Sequence, residues 1–268
     1  MEQKNRNLWI IIAVIAAILI LLCICVVAVG GVIAAFFSFP VGRSGGIAQI
    51  SESSELVINV EESPTLDLDS FAGNVVVRRG EPGRIRIEAT KRAMSEAALN
   101  RIDLDMFEDD DGVVIRTSHT GAAAGNLSAA FDIVVPPDTQ LEMKTGAGNI
   151  EVVGVEGEIA AQTGAGDVTV QDVVAPVKLE TGAGNIEYEG EPSGMSTFNT
   201  GAGNIRLHLS ADANVELDLS VGVGNIRLGG FDVEGDVGSR DVEGVIGTGE
   251  GAVIEADTAV GDITLVQQ

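Results

Sequence analysis

Apolar and polar residues alternate along the second half of this chain. Leu141, Met143 and Thr145 fall on one parity, as do Ile159, Ala161 and Thr163, then Val177, Leu179 and Thr181, then Leu217, Leu219 and Val221, then Ile254, Ala256 and Thr258. A period of two places each set on one face of a strand, with Glu142, Lys144, Lys178 and Glu180 facing solvent between them. A few residues later the alternation resumes one residue out of step, at Ile150 and Val152, Val168 and Val170, Ile205 and Leu207, and Ile263 and Leu265. A change of parity between two half-buried strands predicts a corner.

The corner has a constant wording. Residues 145–152 read TGAGNIEV, 163–170 TGAGDVTV, 181–188 TGAGNIEY and 200–207 TGAGNIRL, with worn copies at 221–228 (VGVGNIRL) and 258–265 (TAVGDITL). The second glycines, Gly148, Gly166, Gly184, Gly203 and Gly224, follow at steps of 18, 18, 19 and 21 residues. Glycine tolerates the positive φ that a tight corner needs, and the Asn or Asp after it ties a bent backbone with a local hydrogen bond. Units this small cannot bury their own apolar faces, so a regular step predicts stacking. The fold class expected is all-β, a parallel β-solenoid of two short strands and two corners per coil at about 4.8 Å per rung. Ladders of Thr and of Asn or Asp are expected at the corners, with Ile and Val inside. The 37 residues from Gly224 to Gly261 span about two periods, so one coil is expected to have lost the phrase near Arg240–Val245.

Upstream the pattern is less regular. Strand signals start at Glu55 with LVINV and continue through residues 66–78, whose FAGNVVV resembles the later phrase. Glu81-Pro82-Gly83 reads as a turn, Ile85, Ile87 and Ala89 as a strand, residues 92–100 as a short helix, residues 109–112 as a turn between two strands, and Phe131–Val135 as one more strand. Residues 55–138 are therefore expected to cap the N-terminal end of a solenoid occupying residues 139–268. Residues 38–54, rich in Gly and Ser, read as a stalk.

Residues 8–37 carry no charge. That run exceeds the roughly 20 residues needed to cross a bilayer and the 7 to 15 of a signal-peptide core, so it reads as an uncleaved transmembrane helix. Lys4 and Arg6 place residues 1–7 in the cytoplasm and the remainder outside the membrane, with Arg43 as a weak opposing charge. Cys23 and Cys25, the only cysteines, lie in this span and read as small apolar residues, so the exported part is held by packing without disulfides.

Charge narrows the partners. The chain carries 40 acidic against 16 basic residues, a formal net charge of −24. Residues 43–116 hold nine basic and fifteen acidic residues, residues 117–268 five and twenty-four, so the repeat half is the acidic one. Nucleic acid is a poor partner for such a surface.

The N-terminal span, the irregular β segment with its short helix and the recurring TGAGNI and GDI phrases resemble the bacterial "putative adhesin" family, a domain family of unknown function. The resemblance covers about Leu56–Val266. It implies a β-solenoid facing the envelope exterior and a binding rather than a catalytic role, with no catalytic residue, cofactor or metal to assign. Bactofilins, cytoskeletal β-solenoid polymers, are a more distant likeness.

Candidate sites are few. TGAGNI lacks both the spacing and the Lys-Ser/Thr of a phosphate loop, and it recurs at a fixed step, which one cofactor site does not. Calcium-binding coils share an 18-residue double step, but most copies here carry Asn where the ligand Asp belongs. Two histidines, His119 and His208, and no cysteine outside the membrane span leave little for nucleophilic catalysis. Arg206, His208 and Arg227 fall on the outward parity of adjoining repeats and form a candidate basic patch for an anionic envelope polymer. The competing reading pairs Arg206 with Glu187 on the neighbouring coil. Only Gln267 and Gln268 follow Val266, so the last coil is expected to leave an open edge for end-to-end association or a partner strand. Two function classes stand at this point: a membrane-anchored, extracytoplasmic adhesin or scaffold, and a carbohydrate-active enzyme on a β-helix, which needs two carboxylates held across a groove.

Overall fold

The computed structural model describes residues 49–268 except 62, 110, 111, 122–125 and 250. The apolar span 8–37 therefore lies outside the described residues, among which no helix is long and apolar enough to cross a membrane. In chain order the elements are β1 (Ile50–Asn59), β2 (Thr65–Ser70), β3 (Val75–Arg79), β4 (Arg84–Ala93), α1 (Glu96–Leu99), β5 (Ile102–Asp109), β6 (Gly112–His119) and β7 (Ser128–Val135). There follow β8 (Gln140–Thr145), β9 (Ile150–Val153), β10 (Ile159–Ala165), β11 (Val168–Val173), β12 (Val177–Ala183), β13 (Ile186–Gly190), β14 (Met195–Ala202) and β15 (Ile205–Leu209). The chain ends with β16 (Val215–Val223), β17 (Ile226–Arg227), β18 (Glu234–Val237), β19 (Asp241–Ile246), β20 (Ala252–Val260) and β21 (Ile263–Gln267).

Each repeat phrase joins a strand of one sheet to a strand of the other. The first sheet runs β1-β4-β7-β3-β9-β11-β13-β15-β21-β17 and the second β5-β6-β2-β8-β10-β12-β14-β20-β16-β19-β18. Coils therefore stack in parallel register, Thr145 beside Thr163, Thr163 beside Thr181 and Thr181 beside Thr200. The residues of inward parity fill the space between the sheets: Ile150, Val152, Ile159, Val168, Val170, Leu179, Ile186 and Leu207 are all buried. Burial of such a side chain contributes about 1.5–3 kcal/mol. Tyr188 and Phe198 are the largest fully buried side chains and meet edge to face, ring centroids 5.2 Å apart.

The corners show why glycine recurs. At Gly184 φ is +153°, and a Cβ there would lie 2.0 Å from the Gly166 carbonyl oxygen one coil away. Both the conformation and the closeness of the backbones exclude a side chain. The buried threonines satisfy their hydroxyls on the same backbone: Oγ1 of Thr163, Thr181, Thr200 and Thr258 donates to the carbonyls of Gly148, Gly166, Gly184 and Gly203 at 2.8–3.0 Å. Beside them a surface ladder runs the length of the stack. Each Asn or Asp accepts at Oδ1 the backbone N–H of its counterpart on the next coil, in the order Asn74, Asn149, Asp167, Asn185, Asn204, Asp262, Asn225.

That order departs from the sequence. β20 lies between β14 and β16, with Thr200 beside Thr258 and Val221 beside Thr258, and β21 lies between β15 and β17. The chain passes over one rung, lays down β16 and β17 beyond it, returns through β18 and β19, and fills the rung last. The coil expected near Arg240–Val245 is instead β19, antiparallel to β16 with Leu219 beside Val242. The last strand is consequently not an open edge, because both of its neighbours were laid down earlier in the chain.

The N-terminal part differs in two respects. β2 and β3 already form a coil, parallel to β8 and β9, with Gly73 at φ +134° and Asn74 opening the ladder, so the stack begins at Thr65 rather than near residue 139. β1 begins at Ile50, inside the segment read as stalk, because pairing with β4 in continuous register outweighs the weak strand preference of its Ser and Glu residues. The true end pieces are the antiparallel strands β1, β4 and β5. The helix is shorter than its pattern suggested: Ser95 caps it, accepting the Ala98 N–H at 3.2 Å, while Arg92 and Ala93 finish β4.

Candidate functional site

The outer face of the first sheet carries the cations singled out above. On β15, Arg206 and His208 point outward between Glu187 and Glu189 of β13 on one side and Thr264 and Val266 of β21 on the other. Arg227 lies beyond Thr264, because β21 intervenes between β15 and β17. The three residues therefore do not sit on adjoining coils: Arg206 and Arg227 are two rungs apart, roughly 10 Å at the usual strand spacing.

Two of the three are engaged. Arg227 Nη1 donates to Asp262 Oδ2 at 2.8 Å, and this bond, with the Asn225 N–H, holds the Asp262 carboxyl below its ordinary pKa. His208 Nε2 stands 3.4 Å from Glu187 Oε1, an ion-pair separation without hydrogen-bond geometry. The Glu187 carboxylate thus reaches toward His208 although its register partner is Arg206, and among the described residues no ion pair engages Arg206. The result is a short dipolar strip, carboxylates on β13 and cations on β15 and β17.

Two concave features lie at the N-terminal end of the stack. Between β1 and β5 an open groove of about 620 Å³ is lined by Val57, Ile58, Met106 and Phe107 together with the polar Asn59 and Glu108. A second groove, about 490 Å³, is lined by Asn59, Glu61, Ser63, Glu108, Asp109 and Gln140 among others. Near its rim burial pushes the Asp138 carboxyl up, but the Ser63 N–H at 2.7 Å and hydroxyl at 3.0 Å outweigh it and leave the pKa lowered. Among the described residues no group of three His, Cys, Asp or Glu is placed to hold a metal ion.

Two buried groups escaped the sequence reading. The Tyr188 hydroxyl is buried without a hydrogen-bond partner, and burial, with Glu191 nearby, raises its pKa far above the ordinary value. His119 packs edge-on against Phe71 at 4.8 Å with its Nδ1 buried and unpartnered. Neither faces a groove described above, and alternation alone marked both only as core or surface positions.

The architecture has counterparts. The chain is similar over 81% of its length to the whole of a Clostridium sporogenes protein whose crystal structure is described as that of a "putative cell adhesion protein", at 16% identity and a TM-score of 0.51. Over 80% of its length it is similar to 97% of a "putative adhesin" of Bacteroides fragilis, at 11% identity and a TM-score of 0.43. The likeness to the Clostridium protein is one of fold. No curated protein matches the chain. Residues 38–266 match the Toastrack DUF4097 family, and the chain, with its stacked two-strand coils, belongs to that family.

Proposed function

We propose that this protein is a single-pass membrane protein, N-terminus in the cytoplasm, which displays an acidic β-solenoid outside a bacterial membrane and acts there without catalysis, in adhesion or as an envelope scaffold. The observation that carries this reading is the side wall: parallel coils in register repeat the same outward columns, a ladder of polar groups along the first sheet. A repeating ligand can meet such a surface at several rungs at once, which multiplies weak contacts. The description of the Clostridium protein as a cell adhesion protein agrees with this reading. The uncharged span 8–37 and the cations before it supply the anchor.

Within the wall, Arg206, with Arg227 and His208 nearby, is the contact proposed for an anionic envelope polymer. The test is a glycan and wall-polymer binding array probed with residues 49–268, which form one compact unit. Binding of an anionic polymer that falls at least tenfold in the double variant Arg206→Glu, Arg227→Glu supports the patch. Unchanged binding rejects it, and turnover of any polysaccharide on the array rejects the non-catalytic role. Retention of the full chain in membranes after an alkaline wash, with residues 49–268 open to external protease, tests the anchor separately.

A further inference from the structure

The coil β20–β21 follows β16–β17 in the chain but lies between that coil and the earlier one, β14–β15. β20 is hydrogen-bonded in parallel register to β14 over Met195–Ala202 and to β16 over Val215–Val223, and β21 to β15 and β17. Until this coil is in place, β14 and β16 bound a slot one rung wide, roughly 10 Å between strand axes. The slot's walls are defined by residues that precede it in the chain. Phe198, Leu217 and Leu219 are buried in the finished stack, and they flank the rung that Ile254 and Ala256 occupy.

Two features make this coil separable. Its connection to β19 contains Gly247 and Gly249 at φ +72° and +71°, a short glycine-rich joint. Asn214 clasps that joint: its Oδ1 accepts the backbone N–H groups of Thr248 at 2.9 Å and Gly249 at 2.7 Å, while its Nδ2 donates to Thr248 Oγ1 at 3.0 Å.

We propose that the Ala252–Gln267 coil is an exchangeable element whose second partner is another copy of this chain. The slot of one copy takes the coil of the other and the reverse, giving a reciprocal dimer, and the Asn214 clasp sets the balance toward the closed monomer. An identical segment re-forms every ladder bond and every apolar contact of the slot, so the exchanged and unexchanged states differ only in the joint and in the cost of association. Exchange takes place while the coil is out of the slot, which is the state of each chain before residues 252–267 are laid down. This proposal stands independently of the ligand and location read above.

Disulfide capture tests it in the full chain. Asn199 and Asp257 are register partners on β14 and β20, both outside the core. With Cys23→Ser and Cys25→Ser as background, one tagged copy carries Asn199→Cys and a second, differently tagged, carries Asp257→Cys. The two are co-expressed, oxidised and separated without reductant. The expected result is a disulfide-linked heterodimer in several-fold excess over either homodimer, with a further several-fold rise when both copies carry Asn214→Ala. A single chain with both cysteines serves as control, since its intramolecular disulfide reports that the register is present. An intact control with no heterodimer overturns the proposal, as do heterodimer and homodimers in the proportions of random collision. A yield unmoved by Asn214→Ala overturns the role given to the clasp.

Discussion

At Gly184 the backbone of one coil comes so close to the next that a single methyl group is excluded, and the same residue needs a φ of +153°. Gly184→Ala is therefore expected to destabilise the unit by about 2–4 kcal/mol in denaturant unfolding, from backbone strain and overpacking together. Ala183→Ser, one residue earlier on the exposed corner, should stay within about 0.5 kcal/mol. Tyr188 offers the opposite case. Its hydroxyl is buried and unpartnered, so Tyr188→Phe should stabilise the fold by about 1 kcal/mol. Asp262 provides a titration test. Its pKa is depressed by Arg227 and the Asn225 N–H, so the stabilisation it supplies is present above the ordinary aspartate value of about 3.9 and is lost as pH falls through the lower, folded value. Carboxyl NMR should show a midpoint below about 3.9 that moves back up in Arg227→Gln. The glycine requirement was legible in the sequence because a positive φ leaves a compositional mark. The Tyr188 hydroxyl was not, since alternation records which face a residue occupies but not what its polar atom meets there.

At the scale of the element, alternation located strands such as β8, β10, β12, β16 and β20 and the parity change located their corners, because both depend on residues a few positions apart. The pattern of residues 92–100 similarly marked a helix, found at Glu96–Leu99. Boundaries held less well where pairing overrode preference. β1 starts at Ile50 on Ser and Glu residues that earn their strand from β4. The order of coils was legible from β8 to β15, where each lies on the one before, and not beyond. A chain shortened to end at Gly251 should show it: amides of β16 to β19 should lose protection in hydrogen exchange, while β8 to β13 keep theirs. β20 and β21 are the strands that join the end piece to the body of both sheets. Uniform loss of protection throughout would mean that the stack is one cooperative unit.

For the whole molecule, charge is unevenly placed. The part up to residue 116 is only modestly acidic, whereas residues 117–268 hold twenty-four acidic against five basic residues. Both ends of the stack are acidic as well: β5 carries Asp103, Asp105, Glu108 and Asp109, and β18 carries Glu234 and Asp236. Like charge opposes stacking of one solenoid end upon another even though the edges of β1, β5 and β18 are unpaired. In sedimentation, end-to-end association is accordingly expected to be weaker in 10 mM salt than in 0.5 M, where screening reaches only a few ångströms. Association that strengthens as salt is removed would rule out charge as the guard of these edges. The sequence by itself determined the unit: two half-buried strands, a glycine corner, a buried Thr and a surface Asn or Asp, all set by parity and by φ within some ten residues. Only the tertiary structure decided which unit lies beside which. Every corner offers its neighbours nearly the same backbone and amide ladder, so the repeat is compatible with many orders, and the choice falls to connections such as the β18–β19 return and the Asn214 clasp. Those contacts are made between residues far apart in the chain, where no local pattern can record them.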